Sequence, residues 1–144
     1  MAIEIINNTQ QDYSNLKLDS LLAFGMQQMD LNADCDLNLM LVDEDEMTEL
    51  HIKWMDEPGP TDVLSFPMDE IEPGYKEVAV LGDIVLCPSV ALAQAQKAGH
   101  SFEHEAAILS MHGLLHILGF DHAEPEEEKE MFSLQESLVA GWNK

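Results

Sequence analysis

A chain of 144 residues can bury a core without disulfides, and 46% hydrophobic residues is the composition of a globular protein, not a disordered one. The net charge is −22, from 28 acidic residues against 6 lysines and no arginine, so the basic face by which nucleic-acid binders usually hold phosphates is missing. No apolar run approaches the ~18 residues needed to cross a bilayer. The opening Met1-Ala2-Ile3-Glu4 has neither a basic lead nor a signal-like apolar stretch. These features predict one soluble, cytoplasmic domain over residues 1–144.

Ile3-Glu4-Ile5-Ile6-Asn7 alternates in part and predicts a first strand. From Tyr13 to Met29 the apolar residues Leu18, Leu21, Leu22, Met26 and Met29 fall at helical spacing. Cys35 to Val42 alternates polar and apolar, then turns fully apolar, as a strand entering a core does. Asp43-Glu44-Asp45-Glu46 puts acids on the first turn of a second helix, where they suit its dipole, and that helix runs to about Met55. Glu57-Pro58-Gly59-Pro60 is a breaker cluster. Asp62–Phe66 and Val78–Leu86 read as two strands around a loop from Met68 to Lys76.

Pro88 opens a helix to about Ala98, with Gly99 as its stop. A longer helix follows from about Phe102 to Leu118, and Pro125 opens a last one to near Trp142. The order β-α-β-α-β-β-α-α-α predicts an α+β or α/β layer with about four strands and helices on its faces. Cys35 and Cys87 are too few and too far apart for a disulfide framework or a zinc ribbon, and read as small buried hydrophobes.

The chemistry concentrates in Met111-His112-Gly113-Leu114-Leu115-His116-Ile117-Leu118-Gly119-Phe120-Asp121-His122. Four residues separate His112 from His116, which on a helix stacks both imidazoles on one face. Gly119 offers a helix stop, after which the chain can reverse and return His122 toward the pair. Three neutral imidazoles leave a fourth tetrahedral position open, the arrangement of a catalytic zinc and not of a structural one. From Ala106 to Leu118 the helix is apolar almost all round and so predicts burial. A histidine inside it needs a partner or a metal, because an unpaired buried polar group costs roughly 1–3 kcal/mol. His51, His100 and His104 lack this spacing and read as surface residues.

The offsets of His116, Gly119 and His122 also resemble the metzincin peptidase pattern H-E-x-x-H-x-x-G-x-x-H, but Gly113 stands where that pattern has its general-base glutamate. A metallopeptidase reading therefore lacks its proton acceptor, and the small Gly113 is expected to give a bulky phosphodiester room at the metal.

The surroundings are more specific. His112-Gly113-Leu114-Leu115-His116 with its following Gly119, Asp121 and His122, Pro60-Thr61-Asp62-Val63-Leu64-Ser65-Phe66-Pro67, and Leu81-Gly82-Asp83-Ile84 together resemble the YbeY family, over about Leu37 to Leu134 and in the family's order. The resemblance implies an α+β fold, a small mixed four-stranded sheet with flanking helices, one of them buried and carrying the metal ligands. It implies a zinc-dependent, single-strand-directed endoribonuclease that matures ribosomal RNA at the small-subunit 3′ end and serves ribosome quality control. The partners implied are ribosomal RNA and small-subunit ribosomal proteins, with no membrane and no DNA.

By carry-over, His112, His116 and His122 hold one Zn2+ ion. The nucleophile is then a metal-activated water, with no protein general base assigned. Carboxylates that orient the imidazoles are sought in Asp121 and Asp83, and a phosphate contact in Ser65. Family members carry an arginine shortly before the Pro60–Pro67 segment, thought to touch substrate. Here Met55 occupies the equivalent place and Lys53 is the nearest cation, a point charge without arginine's two-pronged donor geometry. The alternative reading is a non-catalytic assembly factor whose acidic surface binds basic ribosomal proteins.

The charge generates a first prediction. Short single-stranded RNA should bind the purified protein no more tightly than the non-specific range, roughly 10⁻⁴–10⁻⁶ M at physiological salt. Nanomolar affinity in a filter-binding or anisotropy titration would contradict it.

Overall fold

The structure, a computed structural model, describes residues 3–121 and 123–143. Strands β1 (Ile3–Asn7), β2 (Asp36–Leu41), β3 (Val63–Pro67) and β4 (Val80–Leu86) form one sheet in the order β1-β2-β4-β3. The first two pairings are parallel and β3 runs antiparallel to β4, so the sheet is mixed. Around it lie α1 (Leu18–Gln28), α2 (Glu44–Met55), α3 (Pro88–Ala98), α4 (Phe102–Ile117) and α5 (Pro125–Trp142). Among the described residues no helix is long and apolar enough to cross a membrane.

Strand periodicity divides the core in two. On β2, Leu37, Leu39 and Leu41 are buried while Asp36 is exposed, the period-two alternation expected of a pleated strand. Those leucines, with Ile84 and Leu86 of β4, meet the helical layer built around α4. Val42, Leu64, Val85 and Cys87 pack on the other face with Met47, the one buried residue of α2. Cys35 and Cys87 are buried free thiols, small apolar fillers as expected.

The helix expected over Tyr13–Met29 is divided. A single 3-10 turn, Ser14–Leu16, precedes α1, and Lys17 between them has a left-handed backbone, φ 53°. Leu16 and Leu18 both bury their side chains, and the kink at Lys17 lets two residues so close in sequence reach one core. The other helices match the expected segments closely. The side chain of Asp43 accepts from Glu46 N–H at 2.9 Å to cap α2, and Ser101 does the same for His104 N–H at 3.0 Å to cap α4.

Helix α4 is the centre of the molecule. It touches α1, α3 and α5 as well as β3 and β4. Such all-round burial needs close backbone approach, and two glycines provide it. A Cβ on Gly113 would lie 2.7 Å from Ile84 Cγ2, and one on Gly25 of α1 would lie 2.8 Å from Leu114 Cδ2. Gly113 thus faces the sheet, about 100° round the helix from His112. The expectation that its small size makes room for a phosphodiester is corrected: the missing side chain makes room for Ile84.

Gly113→Ala should therefore destabilise the protein by about 1–3 kcal/mol in urea unfolding, overpacking outweighing the gain in helix propensity. Because the Ile84 side chain is the obstacle, the cost should shrink when Gly113→Ala is combined with Ile84→Ala, a non-additive double-mutant cycle. A Gly113→Ala variant as stable as the parent would refute this packing argument.

Candidate functional site

The last two turns of α4 carry His112 and His116 with ring centroids 4.9 Å apart and planes at 77°. Both rings border a cleft of about 580 Å3 between α4, α5 and the edge strand β3. The helix then ends where the sequence placed its stop. Gly119 takes φ 98°, Phe120 N–H bonds Leu115 O at 3.0 Å, and Gly119 N–H bonds His116 O at 3.1 Å. This pair of bonds closes the helix and turns the chain, and Gly119 tolerates the left-handed φ for want of a Cβ. His122, the third expected ligand, lies outside the described residues.

The donors present suit a borderline cation such as zinc: two half-buried imidazoles, one turn apart, both bordering the cleft. His112 Nδ1 is 2.9 Å from Gln135 Oε1 on α5, and the Phe132 ring lies 5.9 Å from the His112 ring at a 49° tilt. Among the described residues, no group of three His, Cys, Asp or Glu side chains is arranged to hold a metal. A complete site needs a ligand beyond them.

The other expected site residues separate. Ser65 of β3 and Met55 at the end of α2 line the same cleft as the histidines. Lys53 does not: it is exposed on α2, with Nζ 5.2 Å from the Trp54 ring centroid, a cation–π contact. Asp83 is on the wrong side of the sheet to orient an imidazole of α4. Its neighbour Ile84 meets α4 and strand alternation turns Asp83 to the opposite face, where it accepts from Asn38 Nδ2 at 3.0 Å. Asp121 is exposed in the turn after Gly119.

Two residues not singled out from the sequence join the site. Gln135 and Glu105 are 7% and 9% exposed and both line the cleft. Glu105 is paired with His100 Nε2, and the His100 and His104 rings meet edge-on at 4.9 Å; His100 is exposed, as expected of a surface residue, and His104 is half-buried. His51, too, is tied down, its Nδ1 3.0 Å from Gly59 O. A sequence signal for Gln135 exists: it is the polar member of the inward stripe Met131, Gln135, Leu138, Val139 of α5.

A second depression, of about 730 Å3, lies between the end of α4 and the segment from Pro67 to Tyr75, and His116 borders it as well. The two hollows therefore meet at His116. Apart from the histidines and Tyr75, the ionisable side chains lining them are Asp62, Glu70, Glu72 and Glu105, all carboxylic. Among the described residues neither wall carries a lysine that would draw a polyanion from solution.

The model of the family described as Endoribonuclease YbeY matches residues 3–143. Proteins bearing the same name are 54% identical over 99% of this chain and 82% of theirs in Rhodococcus erythropolis, and 52% identical over 99% and 83% in Mycolicibacterium smegmatis. The solution structure of TM1509 from Thermotoga maritima superposes with a TM-score of 0.69, at 31% identity, over 97% of this chain and 88% of that one. A match along nearly the whole length, in sequence and in fold, means that the chain belongs to the YbeY endoribonuclease family.

Proposed function

We propose that this protein is a zinc-dependent endoribonuclease that cuts single-stranded segments of ribosomal RNA, maturing the small-subunit 3′ end and serving ribosome quality control in the cytoplasm. The observation that carries this reading is the pair His112 and His116, one turn apart on a buried helix and open to a cleft that an edge strand flanks with Ser65. His122, two residues beyond the Phe120 turn, is the third ligand of the proposal. When bound, zinc supplies Lewis acidity that makes water a usable nucleophile near neutral pH and polarises a phosphoryl oxygen.

The chain's own residues do the rest. Ser65 offers a hydroxyl donor to a phosphate oxygen in the cleft. Met55 and Phe132 give it apolar walls against which a sugar or an unstacked base can lie, the usual way an unpaired strand is gripped. The hollows on either side of His116 suit an extended single strand laid across the two histidines. With no lysine among the described residues of those walls and a net charge of −22, RNA must be brought by its ribosomal context. The same acidity favours contact with basic small-subunit proteins, so an assembly role accompanies catalysis and does not replace it.

His116→Ala should lose more than about 100-fold in cleavage of an RNA oligonucleotide, beyond the 10–100-fold typical when only a ligand's support is removed. Elemental analysis should show the parent carrying one zinc per chain and the variant little, with far-UV circular dichroism unchanged. Undiminished cleavage by a folded His116→Ala protein would overturn the proposal. Loss of zinc and cleavage together with the fold would point to a structural metal.

A further inference from the structure

We infer that Gln135 is a positioning residue of the metal centre, its amide oxygen accepting the Nδ1–H of His112 and so fixing the tautomer that leaves Nε2 as the lone-pair nitrogen for a cation. The inference rests on the reading of His112 as a ligand given above.

Three observations support it. Gln135 occupies a stripe whose other members, Met131, Leu138 and Val139, are apolar and at most 6% exposed. An amide buried there without a partner costs roughly 1–3 kcal/mol, and a leucine would fill the stripe without that cost. Its oxygen is accounted for by the contact at 2.9 Å with His112 Nδ1, across the packed pair α4 and α5. Finally, the His112 ring is bounded by two further rings, Phe132 at 5.9 Å and His116 at 4.9 Å, so a bond at Nδ1 sets its rotation as well as its proton.

Chemistry explains the choice of an amide. A neutral imidazole has two tautomers, and the hydrogen bond at one nitrogen decides which nitrogen is left to bind metal. An oxygen acceptor at Nδ1 selects the useful one. A carboxylate would do the same and raise ligand basicity, but would add another negative charge to a wall already holding Glu105 and Asp62. The amide orients the ring without that repulsion toward an incoming phosphodiester.

The test uses the full chain. In metal-free parent protein, the two-bond 15N–1H pattern of His112 near neutral pH should show the Nδ1–H tautomer, and Gln135→Leu should shift it toward Nε2–H. Zinc affinity, measured by competition with a chromophoric chelator, should fall 10–100-fold in Gln135→Leu and be kept or raised in Gln135→Glu, whose carboxylate can only accept. Unfolding midpoints establish that the variants fold. If Gln135→Leu does not, the parent's tautomer and Gln135→Glu still decide. An Nε2–H tautomer at His112 in the parent, or equal zinc affinity in the parent and a folded Gln135→Leu, overturns the inference alone. A parent that binds no zinc overturns the reading of His112 as a ligand, and this role for Gln135 with it.

Discussion

The contact between α4 and the sheet at Gly113 and Ile84 governs the rest of this structure. A residue with a side chain at 113 would push the helix away from β4. Gly25 of α1 allows the matching approach from the other side, against Leu114 and Met111. Between them these glycines let an apolar helix sit with α1, α3, α5 and two strands around it. Close packing of this kind fixes a helix in rotation as well as in place, because any turn about its axis would drive methyl groups into neighbours. The direction in which His112 and His116 point is thus set by contacts elsewhere on the helix surface.

That arrangement reconciles an acidic chain with chemistry on a polyanion. The charge is spread over helix starts such as Glu44–Glu46 and Glu126–Glu128, where it suits the dipoles and stays in water. The cleft adds no cation of its own among the described residues that line it. In the proposed enzyme the positive charge at the scissile phosphate belongs to the metal, and proximity to it is a matter of delivery by the ribosome. In that proposal, specificity for context would follow from the weak attraction to RNA that the charge predicts.

Buried polar groups mark the same place. Among the described residues only Glu105, Ser110 and Gln135 are buried and polar, and two of the three line the cleft. Polar side chains inside a core have a cost that packing alone does not repay, and each of these two is offset by a partner. Glu105 is held by His100 and Gln135 faces His112. The Ser110 hydroxyl has no hydrogen-bond partner among the described residues, and nothing in the structure explains it.

By itself the sequence determined what depends on near neighbours. Periodicity located the strands and helices, the Gly99 and Gly119 stops followed from capping chemistry, and the i, i+4 spacing put His112 and His116 on one face, while the Asp43 and Ser101 caps emerged with the structure. The motifs were specific enough to indicate the family. Only the tertiary structure decided matters that depend on which face meets which. Asp83 and Ser65 both lie in strands beside the metal helix in any sequence reading, yet pleating sends Ser65 to the cleft and Asp83 to Asn38 behind the sheet. Gly113 proved to be a packing residue because Ile84, 29 positions earlier, lies against it. Gln135 reaches His112 from another helix, a contact between residues 23 apart in the chain. Local free energies are written in adjacent residues, whereas the pairing of distant ones is fixed when helices and sheet close on a common core.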